Sequence, residues 1–176
     1  TVQAEHGLLF GPNAMACASV SANGQLCATG GDGIDRTVRI WEVKTGKELR
    51  CFGGGFSDVQ WLIILGIALS PNGQRLAIGG SDNLLRVWDT LDGREIVRLP
   101  GHTDWITAVA FSKDGNRALT GSRDLTVRLW DVASGRERHC YPGHTQQVTA
   151  VAFTPDGRHA VSSAADGSIR CWRLPL

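Results

Sequence analysis

Long hydrophobic runs are missing from this sequence. The longest uninterrupted apolar stretch, Leu62 to Leu69 (LIILGIAL), has eight residues, whereas a membrane-crossing helix needs about 20. It reads as a buried strand, and no membrane partner is expected. No charged start followed by an apolar middle opens the chain, which begins at Thr1 rather than Met, as a processed or excised piece would. An excess of one charge is also missing: 18 Lys and Arg stand against 17 Asp and Glu, a formal net charge of +1. Nucleic-acid binding rests on clustered cations that displace counterions, and no such block occurs. A general nucleic-acid binder is therefore excluded, although a local basic patch is not. Cysteines are few and odd in number, and Cys17, Cys27, Cys51, Cys140 and Cys171 form no CxxC pair and keep no regular spacing to histidine. This argues against a metal site and a disulfide framework, and for small strand or core positions in a reducing, cytoplasmic compartment. Helical 3.6-residue periodicity of useful length is absent too. At 176 residues, 42% hydrophobic and 20% charged, the chain is expected to fold as one soluble domain.

What is present is a repeat. Trp41, Trp88, Trp130 and Trp172 are spaced by 88 − 41 = 47, 130 − 88 = 42 and 172 − 130 = 42 residues. The runs that end on them read TVRIW, LLRVW, TVRLW and SIRCW, each with an Arg two places before the Trp (Arg39, Arg86, Arg128, Arg170). Their alternation marks strands, in which successive side chains point to opposite faces. Upstream of each lies ASVSANG, IALSPNG, VAFSKDG or VAFTPDG. The Asn-Gly and Asp-Gly pairs supply the positive φ that tight hairpins demand. A bend containing Asp35, Asp82, Asp124 or Asp166 leads into each Trp strand, and Thr45-Gly46, Asp92-Gly93 and Ser134-Gly135 open a fourth strand. About four short strands per 42 residues, without helices, predict radial repetition of four-stranded antiparallel blades, an all-β propeller. The repeats fall at about 10–52, 53–99, 100–141 and 142–173, with a leading strand over 1–9.

Gly101-His102, Asp124 and Trp130-Asp131, and again Gly143-His144, Asp166 and Trp172, give the chain a likeness to a known family. It resembles the WD-repeat (WD40) propellers over about residues 10 to 173. That resemblance implies a hydrogen-bonded tetrad of His, Ser or Thr, Asp and Trp: His102, Thr120, Asp124 and Trp130 in the third repeat, and His144, Ser162, Asp166 and Trp172 in the fourth. His, Thr or Ser, and Asp are also the ingredients of nucleophilic catalysis. Repetition in successive blades favours the structural reading, because a buried Asp and an indole N–H must both find partners. The first two repeats depart from the pattern. The first has Thr29, Asp35 and Trp41 but Gly11 at the His position, and GGDGID lengthens its turn. The second has Asp82 and Trp88 but Gly55 and Ile78 at the His and hydroxyl positions, and about five extra residues. These two blades are expected to be less rigid, or to have loops shaped for contact. The glycines after Phe52 lack the Lys-Ser/Thr and helix of a phosphate loop, and Asp32 with Asp35 offers too few oxygens for calcium.

The resemblance places partner contacts on the top rim, at Trp105, Thr107 and Arg123, and at Gln147, Thr149 and Ala165. Ala14, Ala16, Ile34 and Ser81 are the corresponding positions of the first two repeats. Trp105 and Arg123 stand out, because aromatic and Arg side chains dominate interface hot spots; packing between blades is the other reading of Trp105. Trp61, in the inserted loop of the second repeat, is a further candidate. The chain finishes at or just after a Trp strand, so its last blade lacks a fourth strand, which Thr1 to His6 could supply. Closing four blades alone turns adjacent blades by about 90°, against about 51° in a seven-bladed ring. A homodimer closing an eight-bladed ring is preferred to a four-bladed monomer, and a segment of a longer propeller is the third option. The expected function is a non-catalytic protein-interaction scaffold that binds a protein or peptide partner on the rim, with no metal and no cofactor. The alternatives are a ligand-binding or enzymatic propeller using the central channel, for which His6, His139 and His159 form no evident constellation, and a purely structural assembly unit.

Overall fold

The computed structural model describes residues 16–31, 37–52 and 63–175. The leading segment 1–9, Gly11, Ala14, Asp32, Ile34, Asp35, Gly55 and Trp61 lie outside them. The first sheet is formed by β1 (Ala16–Val20), β2 (Leu26–Gly31), β3 (Val38–Glu42) and β4 (Glu48–Phe52). The second contains β5 (Ile64–Leu69), β6 (Arg75–Gly80), β7 (Leu85–Asp89) and β8 (Glu95–Leu99). In the third are β9 (Ile106–Phe111), β10 (Arg117–Ser122), β11 (Val127–Asp131) and β12 (Arg136–Tyr141). Among the described residues the fourth has three strands, β13 (Val148–Phe153), β14 (His159–Ala164) and β15 (Ile169–Arg173). Every pairing is antiparallel between sequence neighbours, so each sheet is a four-stranded or three-stranded meander.

The hairpins between the first two strands of each blade share one construction. Ser112 accepts the Arg117 amide on its hydroxyl at 2.9 Å and donates to Asp114, whose carboxylate also takes the Asn116 amide at 3.0 Å. Gly115 then turns the chain at φ +71°, a conformation that costs a side-chain-bearing residue energy. Ser21-Asn23-Gly24, Ser70-Asn72-Gly73 and Thr154-Asp156-Gly157 repeat it.

The core lies between blades. The third strand of each of the first three blades presents Val38, Leu85 or Val127 to the next blade, all three fully buried. Ile64, Ile106 and Val148, each opening the first strand of the following blade, meet them and are buried as completely. The approach depends on glycine. A Cβ on Gly79 would lie 2.4 Å from Ile106 Cγ2, and one on Gly121 2.4 Å from Val148 Cγ1. Arginines tie the same seams, with Arg75 donating to the Gly115 carbonyl at 3.2 Å and Arg117 to Gly157 at 3.1 Å. Close inter-blade contact runs β1 to β5, β5 to β9 and β9 to β13, and none of that extent joins β13 back to β1 among the described residues. The equivalent of Val127 in the fourth blade, Ile169, is 75% exposed.

Candidate functional site

The third blade assembles its polar network around Thr120, which β10 holds fully buried. The Trp130 indole N–H donates to the Thr120 hydroxyl at 2.8 Å, and His102 Nε2 lies 2.6 Å from the same oxygen. His102 Nδ1 is 2.7 Å from Asp124 Oδ2. With the indole donating to Thr120, Thr120 to Nε2, and Nδ1–H to the carboxylate, each hydrogen is used once. Asp124 also accepts the Thr126 hydroxyl at 2.6 Å and the Thr103 amide at 3.1 Å. Burial disfavours its charge, but the hydrogen bonds from His102 and Thr126 outweigh that and hold the carboxyl well below the ordinary range.

The fourth blade differs in one link. Ser162 takes the Trp172 indole at 2.8 Å and lies 2.7 Å from His144 Nε2. Nδ1, however, sits 3.0 Å from the Ser168 hydroxyl and 3.7 Å from Asp166, and Ser168 bridges to the carboxylate at 2.6 Å. The bonds from Ser168 and the Thr145 amide keep Asp166 ionised far below its usual range. In the first blade, Trp41 donates to Thr29 at 2.8 Å. The second blade, with Ile78 buried at the hydroxyl position, uses an ion pair in place of the tetrad. Arg86, 3% exposed, bonds Asp82 and lies 3.5 Å from Glu95.

These networks place the rim loops. The Arg123 amide donates to the Trp105 carbonyl at 2.9 Å, as Ala165 does to Gln147 and, at 3.0 Å, Ser81 to Ile63. The two paired rim positions therefore recur in three blades, and only the third fills them with an aromatic ring and a cation. The Arg123 guanidinium carbon stacks 3.9 Å from the centroid of Trp105, and both side chains are half-buried. Arg123 Nε is buried and has no hydrogen-bond partner among the described residues. Thr107 turns away from the rim: its hydroxyl is directed at the Gly121 carbonyl at 3.0 Å and, across the seam, at Val148 at 2.5 Å. Gln147 is exposed, and Thr149, also exposed, bonds Ser163 at 2.9 Å. The structure thus brings Trp105 and Arg123 together and employs Thr107 in packing.

Sequence reading missed Leu125. It adopts φ +71°, where the second and fourth blades have Asn83 and Gly167, and its side chain is exposed on the rim. A left-handed leucine is strained, held here between the Asp124 bonds to Thr126 and the Leu125 amide bond to Ser122 at 3.3 Å. The sequence signal was Asp-Leu where its sister turns read Asp-Asn and Asp-Gly. Among the described residues no group of three or more His, Cys, Asp and Glu is placed to hold a metal, and no helix is long and apolar enough to cross a membrane.

Consecutive antiparallel meanders packed face to face, with recurring rim turns fixed by buried polar networks, define an all-β repeat protein of the blade type. The "WD domain, G-beta repeat" family profile matches residues 7–42, 47–89, 93–131 and 135–173, and the chain belongs to that family. It is 50% identical over 42 residues to the "Probable serine/threonine-protein kinase PkwA" of Thermomonospora curvata, covering 24% of this chain and 6% of that protein. It is 31% identical over 86 residues to "Protein tipD" of Dictyostelium discoideum (49% of this chain, 13% of that one). With "WD repeat-containing protein 86" of Homo sapiens it shares 37% identity over 62 residues (35% and 15%). Each alignment thus spans no more than 15% of the relative's length.

Proposed function

We propose that the chain is a non-catalytic scaffold that binds a partner protein on the rim of its third blade, with Trp105 and Arg123 as anchors and Leu125 beside them. The observation that carries this reading is the stacked pair itself. A guanidinium laid 3.9 Å over an indole, with one nitrogen buried and unbonded among the described residues, offers a rigid platform with a donor left for a partner. The His and Asp residues that could suggest catalysis are bonded into networks at 2.6–3.0 Å that fix the blade turns, which supports the non-enzymatic reading. Membership of the WD-repeat family supports a scaffold in general terms. Affinity capture with the wild-type chain beside a Trp105→Ala, Arg123→Ala variant tests the rim. Partners lost by the variant, with the fold retained, support it, and identical partner sets dismiss it.

We also infer that further blades pack against the fourth, as in the homodimeric eight-bladed ring expected from the sequence. The uncovered Ile169, whose counterparts are fully buried, supports this. A reducing, cytoplasmic setting is likewise our reading, supported by five free thiols, of which Cys17 is pushed up to about 11 by burial.

A further inference from the structure

The third blade leaves one cation at its rim unanswered. Arg117 donates to the Gly157 carbonyl, Arg128 pairs with Glu137 and lies 3.7 Å from Asp124, and Arg138 pairs with Asp131. The Arg123 guanidinium bonds no oxygen of the described residues and is held by the Trp105 ring, 3.9 Å away. Its Nε is buried, while the two terminal nitrogens reach solvent. A stacked guanidinium is a planar fork already fixed in one orientation, so little freedom is lost when it takes an acceptor. Asp104, beside Trp105 in the facing loop, spends one oxygen on the Trp105 amide at 2.7 Å. The paired rim positions of the last three blades are Ile63 and Ser81, Trp105 and Arg123, and Gln147 and Ala165, and Arg123 is the single charge among them. On the same turn, Leu125 holds φ +71° with 38% of its surface exposed, where the sister turns have Asn83 and Gly167. Asn or Gly adopts this conformation at less cost, so the turn accepts strain to set an apolar side chain at the surface.

We propose that the partner at this rim is an acidic protein segment, whose Asp or Glu carboxylate closes end-on against the terminal nitrogens of Arg123 while an aliphatic neighbour of that acid covers Leu125. This names the chemistry of the rim partner and rests on the function proposed above. The fork matches the two oxygens of a carboxylate, which accept parallel N–H bonds from it. A phosphate group carries nearly two charges and a nucleic acid a row of them. One unpaired cation stands here, and Arg128 on the neighbouring strand is already matched by Glu137. A carboxylate is the acceptor whose charge the site balances.

Random-sequence peptides displayed on phage and selected on the full chain supply the probe, and the most enriched sequence is synthesised and titrated by calorimetry. It is expected to contain Asp or Glu beside an aliphatic residue, and to lose affinity about tenfold or more when that acid becomes Asn or Gln. On the chain with Arg123→Gln the acid and amide peptides should bind alike, and Trp105→Ala should weaken both. Leu125→Asn, which places the residue of the second blade's turn in the third, should also weaken both. If Arg123→Gln fails to fold, the Arg123 Nε–H resonance of the wild-type chain decides instead, moving with the acid peptide and staying in place with the amide. Peptides that Trp105→Ala does not weaken, or no enriched peptide at all, overturn the rim reading and this one with it. A peptide that Trp105→Ala weakens but whose acid is dispensable overturns this proposal alone. So does tighter binding when phosphoserine replaces the acid, which would assign the fork to a phosphate. The internal competitors are Glu5, Asp32, Asp35 and Asp58, which lie outside the described residues. Changing each to its amide should leave the Arg123 resonance of the free chain in place, and a shift would give the fork to the chain's own acid and overturn the proposal. A dimer that Arg123→Gln dissociates would give it to a second copy and overturn it equally.

Discussion

Asp124 carries more of the third blade than its small size suggests. One carboxylate joins His102, Thr126 and the Thr103 amide, and through His102 it reaches Thr120 and the Trp130 indole. Its folded-state pKa lies below the unfolded one, about 3.9. The stability it contributes is therefore complete above about pH 5 and lost as pH falls through about 4 and below, because the unfolded chain then binds the proton more readily. Asp131, pushed down to about 2 by the Ser134 amide and the Arg138 side chain, adds to the same slope from the solvent side. Asp124→Asn should lower the urea midpoint at pH 7 and flatten its decline toward pH 3, leaving the residual slope to Asp166, Asp131 and the hairpin aspartates. An unchanged decline in the variant would remove Asp124 from the linkage.

At the scale of the strand and the blade, the second blade shows how a missing tetrad is replaced. Ile78 cannot accept an indole hydrogen, and Arg86, on the Trp strand itself, is buried against Asp82 and Glu95. Removing one partner of such a pair leaves an uncompensated buried charge, whereas removing both charges together is far cheaper. Arg86→Ala is expected to cost about 3–5 kcal/mol in urea unfolding, and Arg86→Met combined with Asp82→Asn to recover most of it. Equal losses in the single and double variants would show that the pair does not hold the blade. This lock was legible in part. The Arg two places before each Trp is plain in the sequence, and so is the glutamate nine residues on in three repeats, but their partnership emerges only when the third and fourth strands pair. The hairpin turns and the loss of a hydroxyl at Ile78 follow from local chemistry and could be read directly. Thr107 could not, because its hydroxyl is directed at a carbonyl 41 residues away, across a seam whose spacing Gly121 sets.

On the scale of the whole molecule, the first and fourth blades do not pack against each other as neighbouring blades do among the described residues, and the end at the fourth blade is the informative one. Val38, Leu85, Val127 and Ile169 hold one position in four successive repeats, and three are sealed while the last is open. An exposed apolar face of the kind that is elsewhere a core is an association surface. It is not an identical copy of the other seams, since Ser163 stands where Gly30, Gly79 and Gly121 let the next blade approach, and it bonds Thr149 instead. A blade arriving there must sit slightly further out or displace that hydroxyl pair. Light scattering across a concentration series is expected to show a species at twice 18.9 kDa. Ile169→Arg should return it to the single mass and lower the urea midpoint only to that of the dissociated wild-type chain at low concentration, because in the single chain Ile169 is already in water. The same change at Val127, which is fully buried, should unfold the third seam. A wild-type mass of 18.9 kDa at every concentration would dismiss the two-copy ring and leave the open face to blades from another source.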